Sequence, residues 1–385
     1  MSVQRYQAVV VGAGLVGAAT ALALARQGLR VALVERAVPR PPGDIWDTRI
    51  YALTPANQRW LAALGAWGRL DAARVQPVFR MEVAGDAGGH LRLDAYAAGT
   101  AQLAFILESG RLQQALWDTL ADRGDVALHC PADITALVRD GLDTHITLAD
   151  GQVLAAQLVI AADGAQSRVR EWAGIASTAR PYEQSGVVAN FDCARPHRGT
   201  AHQWFMGGDV LAFLPLPGTR MSMVWSTSPA HAETLTSCAP AELAERVRAA
   251  GHDTLGELVA LTPAAAFPLR LMRVESLIAP GVALVGDAGH GVHPLAGQGV
   301  NLGLGDAQAL VAVLADHRRA HPGDARVLAQ YARLRAEPVA RMQAVTHGLH
   351  HLFADARAGW PRNAGMSVVD RLAPLKAALV REAMS

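Results

Sequence analysis

The chain has 385 residues, of which 51% are hydrophobic and only 18% charged, enough to bury a large core in two domains or three. Its 35 basic residues against 34 acidic ones leave a formal charge of +1, which excludes a strongly basic surface for nucleic acid. Cys130, Cys193 and Cys238, an odd set with no Cys-x-x-Cys pair, exclude a disulfide framework or a zinc site and suit a reducing cytoplasm.

The uncharged stretch 7–25 behind Arg5 imitates a secretory leader, but a cleavable leader has no need of the strand and acid downstream of it. Residues 8–11 predict a buried strand, GAGLVG at 12–17 a turn, and 18–27 a helix stopped by Gly28. A second strand over 29–34 then closes with Glu35. The segment 39–43, rich in proline, marks the exit from this β-α-β unit. A helix is expected over 54–64, with Thr54 as cap, Pro55 in the first turn and Trp60, Leu61 and Leu64 as its apolar stripe. Residues 79–93 predict strands around a turn at Gly85, Gly88 and Gly89, and 112–120 an amphipathic helix.

From 126 to 160 the signal is β, with a hairpin at Asp150-Gly151 and a strand over 154–160. Between 180 and 270 the helical period fades. Strands are expected at 187–191, 210–214 and 222–225, and a helix at 240–249. A buried strand returns at 281–285, followed by helices over 300–315 and 325–352. The nucleotide domain is therefore discontinuous: 1–75, 96–178 and 270–335, with a β-rich substrate domain from 76–95 and 179–269 and a helical segment 336–385.

Gly12, Gly14 and Gly17 have the GxGxxG spacing after a strand and before a helix. The first permits a tight turn, the second lets backbone approach a pyrophosphate, and the third lets helix and sheet pack closely. The helix N-terminus then faces phosphate, and Glu35 is placed to accept hydrogen bonds from ribose hydroxyls. This motif fits FAD and NAD equally. A second one, ADGAQSRVR at 162–170, follows the strand ending near 160.

With VIAADGAQSRVR the chain resembles class A flavoprotein monooxygenases, the aromatic hydroxylases related to para-hydroxybenzoate hydroxylase. The resemblance implies an α/β fold: a Rossmann-like FAD-binding domain of the para-hydroxybenzoate hydroxylase type, an inserted β-rich substrate domain and a helical C-terminus. It implicates Asp163 and Gly164 near the FAD pyrophosphate and Arg49, in DTRIYAL, at the phosphates. Ile134 is a candidate for backbone contact with adenine. The family's Glu-Asn-Arg is replaced by Glu108-Ser109-Gly110-Arg111, so Arg111 is expected to replace the missing phosphate contact only in part.

GDAGHGVHPLAGQGVNLGL at 286–304 specifies the flavin. Gly286-Asp287 ends a strand, so Asp287 is expected to accept hydrogen bonds from ribityl hydroxyls. Gly297, Gly299 and Asn301 bring backbone close to the isoalloxazine, where helix N-terminal amides stabilise the reduced anion. His290, His293 and Pro294 are candidates beside the flavin, the histidines for proton relay.

The chain is most similar to hydroxylases of ubiquinone biosynthesis, through ARPHRGTAHQWF (194–205), LAFLPLPG (211–218), SMVWS (222–226), FPLRL (267–271) and the tail 360–384. The resemblance implies ring hydroxylation of a polyprenylated phenol by a flavin C4a-hydroperoxide, with O2 and transient NADPH or NADH. Phe213, Leu214, Pro215, Leu216 and Pro268 are expected as apolar walls that exclude water. The segment 368–384 mixes Leu372, Leu375, Leu379 and Val380 with Arg371, Lys376 and Arg381. It suits a peripheral membrane contact, a partner in a ubiquinone-biosynthesis complex or packing on its own domain. A homo-oligomer, a hydroxylase of a soluble aromatic compound and a flavin-bound scaffold subunit stay open. The WxWxIP signature of flavin halogenases is absent.

Overall fold

The computed structural model describes residues 3–292, 297–354, 359–372, 375–376 and 380. Unbroken apolar runs build the first sheet. Gln4–Val11 lies between Val31–Val34 and Val153–Ala161, and the parallel row continues through Val126–His129 on one side and Val282–Leu284 on the other. The antiparallel pair Ile134–Asp140 and Asp143–Leu148 covers the first half of Val153–Ala161. The central strands are buried on both faces, which is why their sequences do not alternate. Helices Leu15–Arg26, Ser109–Arg123 and Gly299–Asp316 pack on one another against it. The alanine-rich first helix presents little side-chain bulk, so its neighbours come close.

Sheet register decides where the site forms. Val11 is level with Val34 and with Ala161, and Ala161 is level with Leu284. Backbone bonds carry this alignment past the strand ends: Gly12 N donates to Val34 O, Ala162 N to Val11 O and Val285 N to Ala161 O, at 2.8, 2.8 and 2.9 Å. Segments as distant as 12, 162 and 286 therefore leave the sheet side by side at its carboxyl edge, where open α/β sheets take their ligands.

The second sheet is nine-stranded. Its order is His290–Gly291, Ala265–Val274, Ser177–Cys193, Arg220–Thr227, Asp209–Leu216, Thr200–Met206, Arg80–Ala84 and His90–Asp94, with Leu258–Ala260 added beside Ser177–Cys193. One face is closed by helices Pro229–Ser237 and Pro240–Ala250 over Phe191, Trp204, Leu211, Phe213, Met223 and Trp225. A small sheet of Ile50–Leu53, Ala104–Glu108 and Gln76–Val78 lies beside it. The segment after Val282–Leu284 crosses between sheets, since Gly291 pairs with Met272 in the second one.

The helix expected from Thr54 forms as Pro55–Leu64, with the Thr54 hydroxyl accepting from Asn57 N at 3.3 Å. The same Ser/Thr-Pro signal at Ser228-Pro229 starts a helix absent from the sequence expectation, and the Ser228 side chain accepts from His231 N. Strand Thr200–Met206 was not expected either, and it carries part of the cavity wall.

Candidate active site

The three glycines of the first motif divide their work. Gly12 has φ +102°, and a Cβ there would stand 2.4 Å from the Ala162 carbonyl oxygen. A Cβ on Gly17 would fall 1.9 Å from the Gly12 oxygen. These two make room for neighbouring protein. A Cβ on Gly14, at the N-cap of Leu15–Arg26, would meet nothing within 4 Å and would project into a cavity. Glu35 braces this turn: its Oε2 accepts from Ala13 N at 2.6 Å and its Oε1 from Ala37 N at 3.1 Å.

The cavity has a volume of about 970 Å³. At one end it is lined by Gly14, Arg49, Tyr51, Gly164, Asp287 and Gly299. Asp287 is exposed at the cavity surface, with protein packed closely around it. Desolvation by that protein raises its carboxyl above the ordinary aspartate value of 3.8, with His290 and Arg49 pulling it part of the way back. Burial likewise raises the Tyr51 phenol, opposed by Arg49 and reinforced by the Asp287 charge. Positions Gly164 and Gly299, like Gly14, face open space. Bare backbone at a helix N-terminus, an arginine and a carboxylate aimed into the same space are what the phosphates and ribityl hydroxyls of FAD require. The residues present fit that group.

Behind this surface lies a buried polar clamp. His290, at 2% exposure, places Nε2 2.5 Å from Asp306 Oδ2, and Asp306 is fully buried. The same carboxylate accepts from Gly286 N at 2.9 Å and from Arg335 Nε at 2.6 Å. Asn301, expected near the flavin, is occupied by protein. Its Oδ1 accepts from Thr54 N and Asn57 Nδ2, and its Nδ2 donates to Ala52 O and Gln298 Oε1. It ties the start of Gly299–Asp316 to the loop before Pro55–Leu64.

Other expected contacts are placed off the cavity wall. Arg111 pairs with the buried Glu108 at 2.8 Å and donates to Gly43 O. Gln113, one turn into the same helix, lines the cavity instead and donates to Ala13 O at 3.3 Å. Its spacing from Ser109, another lining residue, was the sequence signal for it. Ile134 is buried at the start of its strand, with its N–H bonded to Asp133. Asp163 accepts from Val169 N at 3.2 Å, and its buried Oδ1 has no protein partner among the described residues. Gly297 lines the cavity, with only Ala52 Cβ near, at 3.8 Å. His293 and Pro294 lie outside the described residues.

At its other end the cavity is walled by the open face of the second sheet. Leu214 and Pro268 line it as expected; Phe213, Pro215 and Leu216 do not. The pleat explains this correction, since successive side chains point to opposite faces. Val210, Ala212 and Leu214 face the cavity, whereas Leu211 and Phe213 enter the core beneath, where Phe213 packs 4.8 Å from Trp204. Leu216, fully buried, joins a separate cluster with Val78 and Ile106. Val188, Val224 and Gln203, from neighbouring strands, were not foreseen. In the tail, Leu372 and Leu375 are exposed, Val380 is buried and lines the cavity, and Leu379 lies outside the described residues.

The chain is similar to known proteins in sequence and in fold. The FAD binding domain family model matches residues 5–346. A 3-demethoxyubiquinol 3-hydroxylase of Escherichia coli is 38% identical over 320 residues, covering 83% of this chain and 82% of its own. The ubiquinone hydroxylase UbiL of Rhodospirillum rubrum is 37% identical over 384 residues, covering 97% and 88%. The crystal structure of PqsL, a probable FAD-dependent monooxygenase from Pseudomonas aeruginosa, superposes with a TM-score of 0.80 at 26% identity, covering 94% of this chain and 99% of that one.

Proposed function

We infer that this protein, which belongs to the FAD binding domain family and within it to the hydroxylases of ubiquinone biosynthesis, is an FAD-dependent monooxygenase that hydroxylates the ring of a polyprenylated phenol. One observation carries the reading: the glycine-lined nucleotide end and the apolar sheet face belong to one continuous cavity. A flavin held at the first end thus has an aromatic ring as neighbour at the second. FAD held at the first end by Gly14, Arg49, Gly164 and Asp287 would supply the redox chemistry, with NADPH or NADH as reductant and O2 as oxidant, one oxygen going to the ring and the other to water.

The chain's own residues supply the setting. Gly14 and Gly164 leave room for phosphates, and Arg49 offsets their charge. Asp287 accepts ribityl hydroxyl hydrogens. The amides that open Gly299–Asp316 point positive partial charge at the site, favouring the flavin's reduced anion. Val188, Ala212, Leu214, Val224 and Pro268 keep the ring's surroundings dry, which limits loss of activated oxygen as hydrogen peroxide. Of the two histidine candidates for moving a proton, His290 lines the cavity with its Nε2 held by Asp306.

The same reading divides the chain into a discontinuous FAD-binding part (1–75, 96–178, 270–335), a substrate part (76–95, 179–269) and a C-terminal segment (336–385). Among the described residues no helix is long and apolar enough to cross a membrane. Exposed Val368, Leu372 and Leu375 suit a peripheral contact through which a lipid phenol is collected.

The test supplies purified protein with FAD, NADPH or NADH, isotopically labelled O2 and a prenylated phenol. Nicotinamide oxidation stimulated by the phenol, with label in the ring, is expected. A bound flavin that resists reduction, or oxidation that yields only hydrogen peroxide whatever phenol is present, overturns the reading. Equal turnover of a matched phenol lacking the tail points instead to a soluble aromatic substrate.

A further inference from the structure

Strand Thr200–Met206 alternates between two environments. His202 and Trp204 stack on each other with ring centroids 5.6 Å apart, and Trp204 enters the core closed by the helices. Gln203 falls on the opposite side of the strand, and it lines the cavity together with Ala201 and His202. Across the sheet it is level with Ala212, which is level with Val224, which is level with Val188, and all three line the same cavity. Its parallel neighbour is Val83. A carboxamide thus stands in an apolar row.

Gln203 is only 6% exposed, and its carboxamide, which reaches the cavity, has no hydrogen-bond partner among the described residues. The other buried amides each make at least one bond; even Asn190, whose Oδ1 lacks a partner, donates through Nδ2 to Asp47 O. Asn57 and Asn301 bond each other and their surroundings, Gln343 reaches Met272 O and Gly291 O, and Asn363 binds Asp86. An amide without a protein partner gains nothing for the fold over an apolar side chain, and leucine or methionine would suit this row. A polar side chain aimed into a binding cavity and unsatisfied by protein is satisfied by what enters it, water first and then ligand.

We propose that Gln203 is a substrate-binding residue whose carboxamide hydrogen-bonds an oxygen substituent on the aromatic ring of the phenol, so fixing which ring carbon faces the flavin. The proposal rests on the hydroxylase reading of the same cavity. An amide suits this task because it donates through Nε2 and accepts through Oε1, and so meets a hydroxyl, methoxy or carbonyl oxygen alike.

The experiment compares wild type with Gln203→Met and Gln203→Leu, both loaded with FAD. Three quantities are measured: Tm, the dissociation constant of a prenylated phenol from its perturbation of the flavin spectrum, and the share of consumed O2 that appears as hydrogen peroxide. Tm and flavin content should hold or rise, because an unsatisfied amide has been removed. Phenol binding should weaken about tenfold, and the peroxide share should grow as the ring loses its orientation. Unchanged phenol binding and unchanged coupling overturn the proposal. A fall in Tm with loss of flavin in both variants also overturns it, since that assigns Gln203 to the scaffold. If wild type itself hydroxylates no prenylated phenol, the functional reading has failed; if wild type is active and the variants match it, only this inference has.

Discussion

His290 and Asp306 lie 16 positions apart and meet at 2.5 Å inside the protein, Nε2 to Oδ2, with neither side chain in contact with bulk solvent. The carboxylate also gathers Gly286 N and Arg335 Nε, so it joins the strand end that carries Asp287 to two helices. Asp306→Ala removes the acceptor while leaving a guanidinium buried. Breaking such a pair costs about 3–5 kcal/mol, and denaturant unfolding of the apoprotein should show a loss of that order. FAD affinity should fall with it, because Gly286-Asp287 is no longer anchored. A variant with wild-type stability would deny the clamp this role.

Asp287 gives a pH prediction with a definite sign. Desolvation by the surrounding protein raises its folded-state pKa above the ordinary 3.8, so the folded chain holds this proton more tightly than the unfolded chain does. That contribution to stability is complete below 3.8 and is lost as pH rises through the raised value. Apo Asp287→Asn should therefore be more stable than apo wild type at neutral pH, the difference closing on acidification. Under the proposed role ribityl hydroxyls would donate to the ionised carboxylate, so FAD affinity of wild type should rise with pH over the same interval. Affinity of Asp287→Asn should be weaker and flat there. Flavin fluorescence titrations across that range check both; a flat wild-type curve refutes the assignment.

Two glycines one helical turn apart should fail in different ways. Gly14→Val adds a side chain to open cavity space, so the protein should fold with near-normal Tm and bind no flavin. Gly17→Val drives its Cβ into the Gly12 carbonyl, so the chain should be recovered mostly insoluble or with a greatly lowered Tm. Circular dichroism and flavin content separate the outcomes. A folded, yellow Gly14→Val would show that the phosphates lie elsewhere.

Adjacent residues on one strand provide a further contrast. Phe213→Ala empties a core site, costing about 3–5 kcal/mol, and should leave the dissociation constant of the phenol near wild type in protein that remains folded. Leu214→Phe intrudes on the cavity and should weaken phenol binding severalfold while stability changes little. Reversal of this pattern would mean that the strand presents its other face.

Much of the nucleotide half was legible because its signals are local. A helix cap such as Thr54, a run such as 8–11 or a glycine turn such as Gly12 depends on residues a few positions away. Where strands and helices fall along this half could be read on that basis to within a few residues. Gln203 and the Asp306 clamp were not legible, since a hydrogen-bond partner, or the lack of one, is a property of space and not of spacing. Phe213 and Leu214 show the limit most directly: both are large and apolar, and composition gives no reason to prefer one as the cavity wall.

The amino-acid order alone thus pointed to a nucleotide site, because strand-turn-helix geometry confines glycines to particular positions, and its resemblance to flavoprotein hydroxylases gave the flavin and the class of reaction. Folding alone decided which side of each strand faces the cavity and which polar groups are left there. Those outcomes depend on pleat and register between strands far apart in the chain, where moving one residue exchanges wall for core.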